Sequence, residues 1–343
     1  MTQNPRKIIG IIPNVHGVGG PASFNEKLGN GLRKLGVEVT YDLASPNLAS
    51  VLVIAGTRHL GLLSGLKKKG IPIIQRLDGM NWVHRKRFTN LRYYLRSEVN
   101  NWILREIRSR YASKVIYQSE FSRDFWNRVY GNKISPNCVI LNGVDLDQFY
   151  PLNSPTLDHN GLKAIVVEGH IKNGLELGLD NVIRALDRYS IHAQKPVHLF
   201  IAGEVPHEIR AKLAENKNID ITWGGVISRL EIAEQLRMAD LFFSAELNPP
   251  CPNSVIEALA SGLPVASFES GAIRELVADD CGIISSYGGN IWNLELANVE
   301  MMADMLSVKL QNREVLGKNA RTRAVQMFGL DQMVEKYLNV LAP

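Results

Sequence analysis

Short, nearly continuous apolar runs alternate with helical stretches along the whole chain. In the first half the runs are KIIGIIPN (7–14), VEVTYDL (37–43), SVLVIAG (50–56), IPIIQRLDG (71–79), KVIYQS (114–119) and NCVILNG (137–143). Between them polar residues interrupt apolar ones at helix spacing, as at Phe24, Leu28, Leu32 and Leu35. A run that is apolar on nearly every residue suits a strand buried on both faces. Strands separated by helices form a parallel sheet covered on both sides. After a loose linker, YPLNSPTLDHNG (150–161), the pattern restarts. Its runs are KAIVVEGH (163–170), PVHLFIAG (196–203), IDITWGGV (219–226), DLFFSA (240–245), LPVASFES (263–270) and GIISS (282–286). The pattern predicts an α/β protein of two doubly wound, Rossmann-like domains, 1–155 and 156–328. Ligands of such sheets bind beyond the C-terminal strand ends, and two facing domains enclose a cleft.

At 343 residues the chain has room for two domains. No apolar run approaches the ~20 residues of a membrane span. MTQNPRKIIGIIPN enters a strand directly and lacks a signal-peptide layout. Cys138, Cys251 and Cys281 are widely spaced and odd in number. They form neither a disulfide framework nor a zinc site and fit a reducing, cytoplasmic setting. Charge changes the picture more. Residues 1–155 hold 22 Lys+Arg against 10 Asp+Glu, or +12, and the remainder 17 against 24, or −7. An anionic surface or partner is expected on the first half.

Several loops carry candidate chemistry. PNVHGVGGPASF (13–24) follows the first strand, and its glycines, Gly19 and Gly20 among them, let backbone N–H groups approach a phosphate. It lacks the G-x-G-x-x-G spacing, and such turns are often only steric. Asp78 stands just past a strand end, behind Arg76 and before His84. It suits a cleft or an Asx turn equally well. Residues 85–114 hold nine Lys/Arg and two acids, with Leu91, Leu95, Val99, Ile103, Ile107 and Tyr111 every four positions. That spacing predicts one amphipathic helix with a basic outer face. It is either an ordinary solvated face or a docking surface for anionic lipid or a phosphate backbone. His170 and Lys172 leave the sheet after the first strand of the second half, placed to meet a phosphate or to sit in a plain polar loop. Asp145-Leu146-Asp147 mimics a metal motif but reads as structural. No zinc-protease helix, C-x-x-C or P-loop pattern occurs.

NPPCPNSVIEALASGLPV (248–265) raises its own question. Its prolines force a turn, and a helix starts near Ser254. Ser254 and Glu257 fit a capping box, whereas a ligand at a helix N-terminus gives Glu257 a binding duty.

Four segments together resemble the retaining glycosyltransferases of family 4, group 1, with the GT-B architecture. They are GVGGPASFNEKLGNGLRKLGVEV, VILNGVDLDQFYP, ITWGGVISRLEIAEQLRMADLFFSAE and SVIEALASGLPVASFESGAIREL. MFGLDQMVEKYL is similar to the family's closing helix, so 329–343 is expected to pack back on the first domain. The resemblance implies a nucleotide-sugar donor on the second domain, a glycan or lipid-linked acceptor on the first, and chemistry in the cleft. It implies no metal and no cofactor. Glu257 matches the glutamate that holds the ribose. The chain departs from the family at three places. Pro249 stands where a first glutamate contacts the donor sugar, His170 takes an arginine position, and Asp78 a histidine position.

The expected machinery is therefore Asp78, His170 and Lys172 as catalytic groups, with Gly19, Gly20, Gly169, Asn253, Ser254 and Glu257 on the donor. His16, Arg85, Lys86, Arg87, Arg92 and Arg96 are expected to meet the acceptor or an anionic membrane. Donors aimed at the diphosphate stabilise the leaving charge, and the leaving phosphate takes the acceptor proton. The rival readings are a catalytically silent sugar-nucleotide-binding or scaffold protein and, ranked lower, a nucleic-acid glycosyltransferase.

Overall fold

The computed structural model describes residues 8–15, 17, 19–132, 136–152, 161–172, 174–215 and 217–342. His16 lies outside them. All the apolar runs become strands: β1 Ile8–Ile12, β2 Glu38–Thr40, β3 Leu48–Ile54, β4 Ile73–Leu77, β5 Lys114–Tyr117, β6 Asn137–Val139, β7 Leu162–His170, β8 Val197–Glu204, β9 Asp220–Gly225, β10 Leu241–Phe243, β11 Val265–Phe268 and β12 Gly282–Ser285. They form two six-stranded sheets, ordered β2-β1-β3-β4-β5-β6 and β12-β11-β10-β7-β8-β9. Every pairing is parallel. The strand order reverses once in each sheet, between β1 and β3 and between β7 and β10. These are the switch points where chains leave in opposite directions and a crevice opens.

The chain divides into two compact units. The first takes the residues up to Trp82, Asn90–Gly143 and those from Leu330 onward, and the second takes Val83–Thr89 and Val144–Gly329. Each has its own core. In the first, Ile9, Leu28, Leu32, Leu52 and Ile116 pack with Met333, Val334, Tyr337 and Leu341 from the last helix, Leu330–Leu341. Gly31 lets that helix approach, since a Cβ there would lie 2.4 Å from Val334. The buried Ser50 hydroxyl donates to the Leu341 carbonyl at 2.6 Å.

The basic segment departs from expectation. Its helix spans Leu91–Glu106 and continues as a π-type turn, Ile107–Tyr111. Asn90 caps it by accepting from the Tyr93 N–H at 2.8 Å. Ile103 and Ile107 are buried, but Leu91 is 63% exposed, Leu95 53%, Val99 48% and Trp102 51%. The inward face is instead built by Ser97, Asn101, Leu104 and Arg108. A four-residue repeat drifts about 40° per step around a helix, so a run of fours cannot stay on one face. The Asn101 side chain bonds both the N–H and the carbonyl of Asn81, at 3.0 and 2.7 Å, which makes a polar residue the inward anchor. Arg85, Lys86 and Arg87 are not on this helix. They belong to the second unit, where Arg87 pairs with Glu176 at 2.7 Å and Lys86 donates to Asn293 at 2.9 Å.

Two glycines test the packing. A Cβ on Gly178 would sit 1.7 Å from the Ala245 carbonyl oxygen, whereas one on Gly65, inside a helix, meets nothing within 4 Å. Gly178→Ala should cost about 1–3 kcal/mol through overpacking, and Gly65→Ala should stabilise by up to ~1 kcal/mol. Denaturant midpoints of the two variants check both signs.

Candidate active site

In the first unit the loop after β1 lies at the switch point. Gly17 and Gly19 have φ of +107° and +134°, values a side chain resists, and no neighbour lies within 4 Å of a Cβ at Gly17, Gly19 or Gly20. The helix Gly20–Lys34 starts there with Gly19 as N-cap and no side-chain cap. Open glycines at an uncapped helix start leave backbone N–H groups available to an anion.

Asp78 follows β4. Its carbonyl accepts from the Ser122 hydroxyl and the Trp126 indole, both at 2.8 Å. Burial pushes its carboxyl above the ordinary range, against the pull of the Arg76 guanidinium and of its own backbone N–H. Arg76 is itself buried. It lies 3.6 Å over the Phe24 ring and donates to Asn142 at 2.8 Å. His84, read near Asp78 in sequence, is buried in the second unit.

The second unit gathers more. Asn253, Ser254 and Glu257 lie on the helix Asn253–Ala260, at the end of the loop leaving β10. The Ser254–Glu257 capping box does not form. Pro252 is the N-cap and no side chain caps the helix, because Ser254 is already one residue inside it. Glu257, 3% exposed, instead accepts from Arg229 Nη2 at 2.5 Å. Arg229 opens the helix Arg229–Met238, and the capping box sits there, with Ser228 and Glu231 bonded reciprocally. The same four-residue pattern therefore occurs twice, and the proline before the later one decides which forms.

His170 and Lys172 come together on a third residue. Glu204, at the end of β8, lies 2.5 Å from His170 Nδ1 and 3.7 Å from Lys172 Nζ. The two expected phosphate donors are thus half-exposed and held by one carboxylate. Gly169, between β7's last core residues and His170, is exposed with open space at its Cβ position. Asp145 accepts from the N–H groups of Asp147 and Gln148 at 2.9 and 3.2 Å, a turn that serves structure.

Sequence reasoning passed over Glu168, Glu204 and Arg229, and set Glu246 aside as near Pro249 but out of register. Glu168 ends the apolar part of β7, and a charge closing a buried strand was the available signal. Burial first, then the Glu246 charge, pushes its carboxyl well above the ordinary range, while the Ala245 N–H pulls the other way. Its Oε1 is sealed from solvent with no hydrogen-bond partner. An ionised oxygen in that position would lose about 1–3 kcal/mol or more, so the site favours the protonated form.

This has a consequence for stability. Between the ordinary carboxyl value and the raised one, the folded protein binds the Glu168 proton and the unfolded chain does not. Stability therefore falls as pH rises through that window and is level above it. Glu168→Gln should flatten the fall, as read from denaturant midpoints over a pH series.

Residues 163–307 match the model for glycosyl transferases group 1. Sucrose-phosphate synthase from Thermosynechococcus elongatus is similar at 16% identity and a TM-score of 0.73, covering 98% of each chain. HepE of Anabaena, solved with UDP-glucose, is similar at 15% and 0.67, over 98% of this chain and 99% of that one. WaaG, a glycosyltransferase involved in lipopolysaccharide biosynthesis, is similar at 14% and 0.67, over 97% and 99%. Comparison with curated protein sequences returns no match. The segment that carries Glu168, His170, Arg229, Glu246 and Glu257 matches the model for glycosyl transferases group 1, and the chain as a whole has the GT-B fold.

Proposed function

We propose that the protein transfers a sugar, with retention of anomeric configuration and without a metal, from a nucleotide-sugar to a glycan or lipid-linked acceptor in polysaccharide or glycoconjugate synthesis. The observation that carries this reading is Glu257. A carboxylate almost wholly buried and held by Arg229, in a helix whose start has no side-chain cap, suits a neutral diol beside an anion. That combination is the ribose and phosphate end of a nucleotide. UDP-glucose in the similar HepE structure supports the ligand class.

The helix start at Asn253 and Ser254, with His170 and Lys172, supplies donors for the diphosphate and stabilises charge as it leaves. Glu204 holds the His170 and Lys172 side chains in place. The departing phosphate takes the acceptor proton, so no strong protein base is needed. In the first unit, the open backbone N–H groups of Gly19 and Gly20 suit an anion, the donor duty expected of them, and Asp78 is the group expected to be catalytic.

The acceptor side also supports a cytoplasmic enzyme that sits at an anionic membrane. On the helix Leu91–Glu106 the exposed Leu91, Leu95, Val99 and Trp102 form a stripe, with exposed Arg92 and Arg96 along one flank and Arg105 along the other. Apolar side chains that enter the headgroup boundary, with guanidiniums beside them, are what an anionic bilayer holds. No described helix is long and apolar enough to cross a membrane.

Two experiments test these readings. Calorimetry and turnover with UDP-, GDP-, ADP- and TDP-sugars should find one donor that binds and is slowly hydrolysed. Glu257→Ala should weaken it about tenfold or more, the size of a lost charge-assisted bond. Unchanged affinity in the folded variant contradicts the ribose assignment, and binding with no turnover for any acceptor contradicts the enzyme reading. For the membrane, the protein should sediment with phosphatidylglycerol vesicles and not with phosphatidylcholine ones. Leu95→Gln with Trp102→Gln should cut that binding about tenfold; equal binding by the double variant refutes the contact.

A further inference from the structure

On one face of the first sheet, Ile74, Ile116 and Ile140 lie in the apolar core with Phe24. Side chains two residues apart on a strand share a face. Two residues beyond each isoleucine stand Arg76, Gln118 and Asn142, all buried. A polar layer therefore caps the apolar one on the side where the strands end. Arg76 is its charged member and is 2% exposed.

The layer holds the guanidinium closely. It lies over Phe24, one turn into the helix Gly20–Lys34, and its Nη2 donates to Asn142. Gln118, with its amide turned to present the oxygen, accepts from Nη1 and Nη2 at 2.9 and 3.0 Å. Nε is sealed from solvent with no hydrogen-bond partner. These partners are neutral, and no carboxylate among the described residues forms a salt bridge with Arg76.

Packing does not account for the charge. Taking a guanidinium out of water is costly, and amide oxygens and a ring face repay it only in part. A methionine would fill the same layer without that cost. A cation buried on those terms acts on something beyond its hydrogen bonds. Asp78 follows Arg76 at the same two-residue spacing, just past the end of β4. Arg76 is the charge that acts on its carboxyl, drawing it toward the ionised form against burial. The helix Glu120–Tyr130 reaches Asp78 through Ser122 and Trp126, which are uncharged and bond its carbonyl. One helix thus fixes the Asp78 backbone, and one cation governs its carboxyl.

We propose that Arg76 is a positioning residue for sugar transfer that acts through Asp78: locked among Phe24, Gln118 and Asn142, its permanent charge keeps the Asp78 carboxylate ionised, the form that accepts a hydrogen bond from a substrate hydroxyl. This rests on the reading of Asp78 as a catalytic group. A protonated Asp78 loses the charge-assisted bond, so turnover falls on the acid side. Without Arg76 that fall begins at a higher pH.

The test follows Asp78 by carbon-13 carboxyl NMR over a pH series, with the signal assigned through Asp78→Asn. Hydrolysis of UDP-, GDP-, ADP- and TDP-glucose is measured over the same series. In Arg76→Met the Asp78 titration midpoint should move up. Hydrolysis of the donor that is turned over should fall about tenfold on the acid side and recover as the pH rises. Arg76→Lys, which keeps the charge, should bring the midpoint and the acid-side rate back toward wild type. Gln118→Glu sets a carboxylate against both terminal nitrogens and neutralises the guanidinium without emptying the layer. It should move the midpoint up even if Arg76→Met does not fold. An unmoved Asp78 midpoint in folded Arg76→Met, or in Gln118→Glu, overturns the coupling. A loss in Arg76→Met that is equal at every pH and is not restored by Arg76→Lys makes Arg76 structural only and overturns the proposal. A moved midpoint together with unchanged hydrolysis in Asp78→Asn overturns the catalytic reading of Asp78, and with it the part of Arg76 in transfer, while the charge coupling stands.

Discussion

An all-parallel sheet sends every strand's C-terminal end to one edge, and the rest of the second unit depends on where its strand order reverses. Between β7 and β10 the chain leaves in opposite directions, and the loops there cannot cover the crevice between them. Glu168, His170, Ser244, Glu246 and the helix bearing Glu257 all follow from those two strands. The topology therefore assembles, from residues 168 to 257, a set of polar groups that no local segment contains. Gly178 and Gly203 are what let the loops come close enough, each facing a carbonyl oxygen where a methyl group would clash.

Within that crevice charge is sorted. His170 and Lys172 share Glu204, Arg229 holds Glu257, and the Glu246 charge lies near the buried Glu168 carboxyl. His170 and Lys172 keep their direction without being neutralised completely, because their pairs with Glu204 are half-exposed and weak, whereas the Glu257 carboxylate is almost wholly buried. Glu168 answers to a different rule: burial first, then the Glu246 charge, raises its carboxyl well above the ordinary range. The first unit sorts differently, exposing a stripe of Leu91, Leu95, Val99 and Trp102 on its most basic segment.

The sheets were legible because apolar runs of strand length, KAIVVEGH or SVLVIAG, have no other economical reading, and the closing helix was legible through its likeness to the family. The site was legible only in part. Glu257, Asn253 and Ser254 stand in one helix and one quoted motif, whereas Arg229, Glu204 and Glu168 act through partners 28, 34 and 78 residues away. Pairing at that distance leaves no local pattern. Two local patterns also misled. The S-x-x-E at Ser254 looked like a cap until Pro252 took the cap position, and the four-residue repeat from Leu91 looked like a buried face although it drifts around the helix. Physical periodicity decides an element's type more reliably than which side it buries, because burial is set by what arrives from elsewhere, such as Asn81 against Asn101.

The central claim is that the switch-point loops of the second unit hold the nucleotide-sugar. Amide hydrogen exchange with and without each of the four nucleotide-sugars tests it most directly. The account predicts that the donor which binds slows exchange together in three segments, 168–172, 244–248 and 252–258, and slows it less strongly at residues 229–232. Protection confined to other parts of the second unit, with these three segments unchanged under a saturating donor, would contradict it.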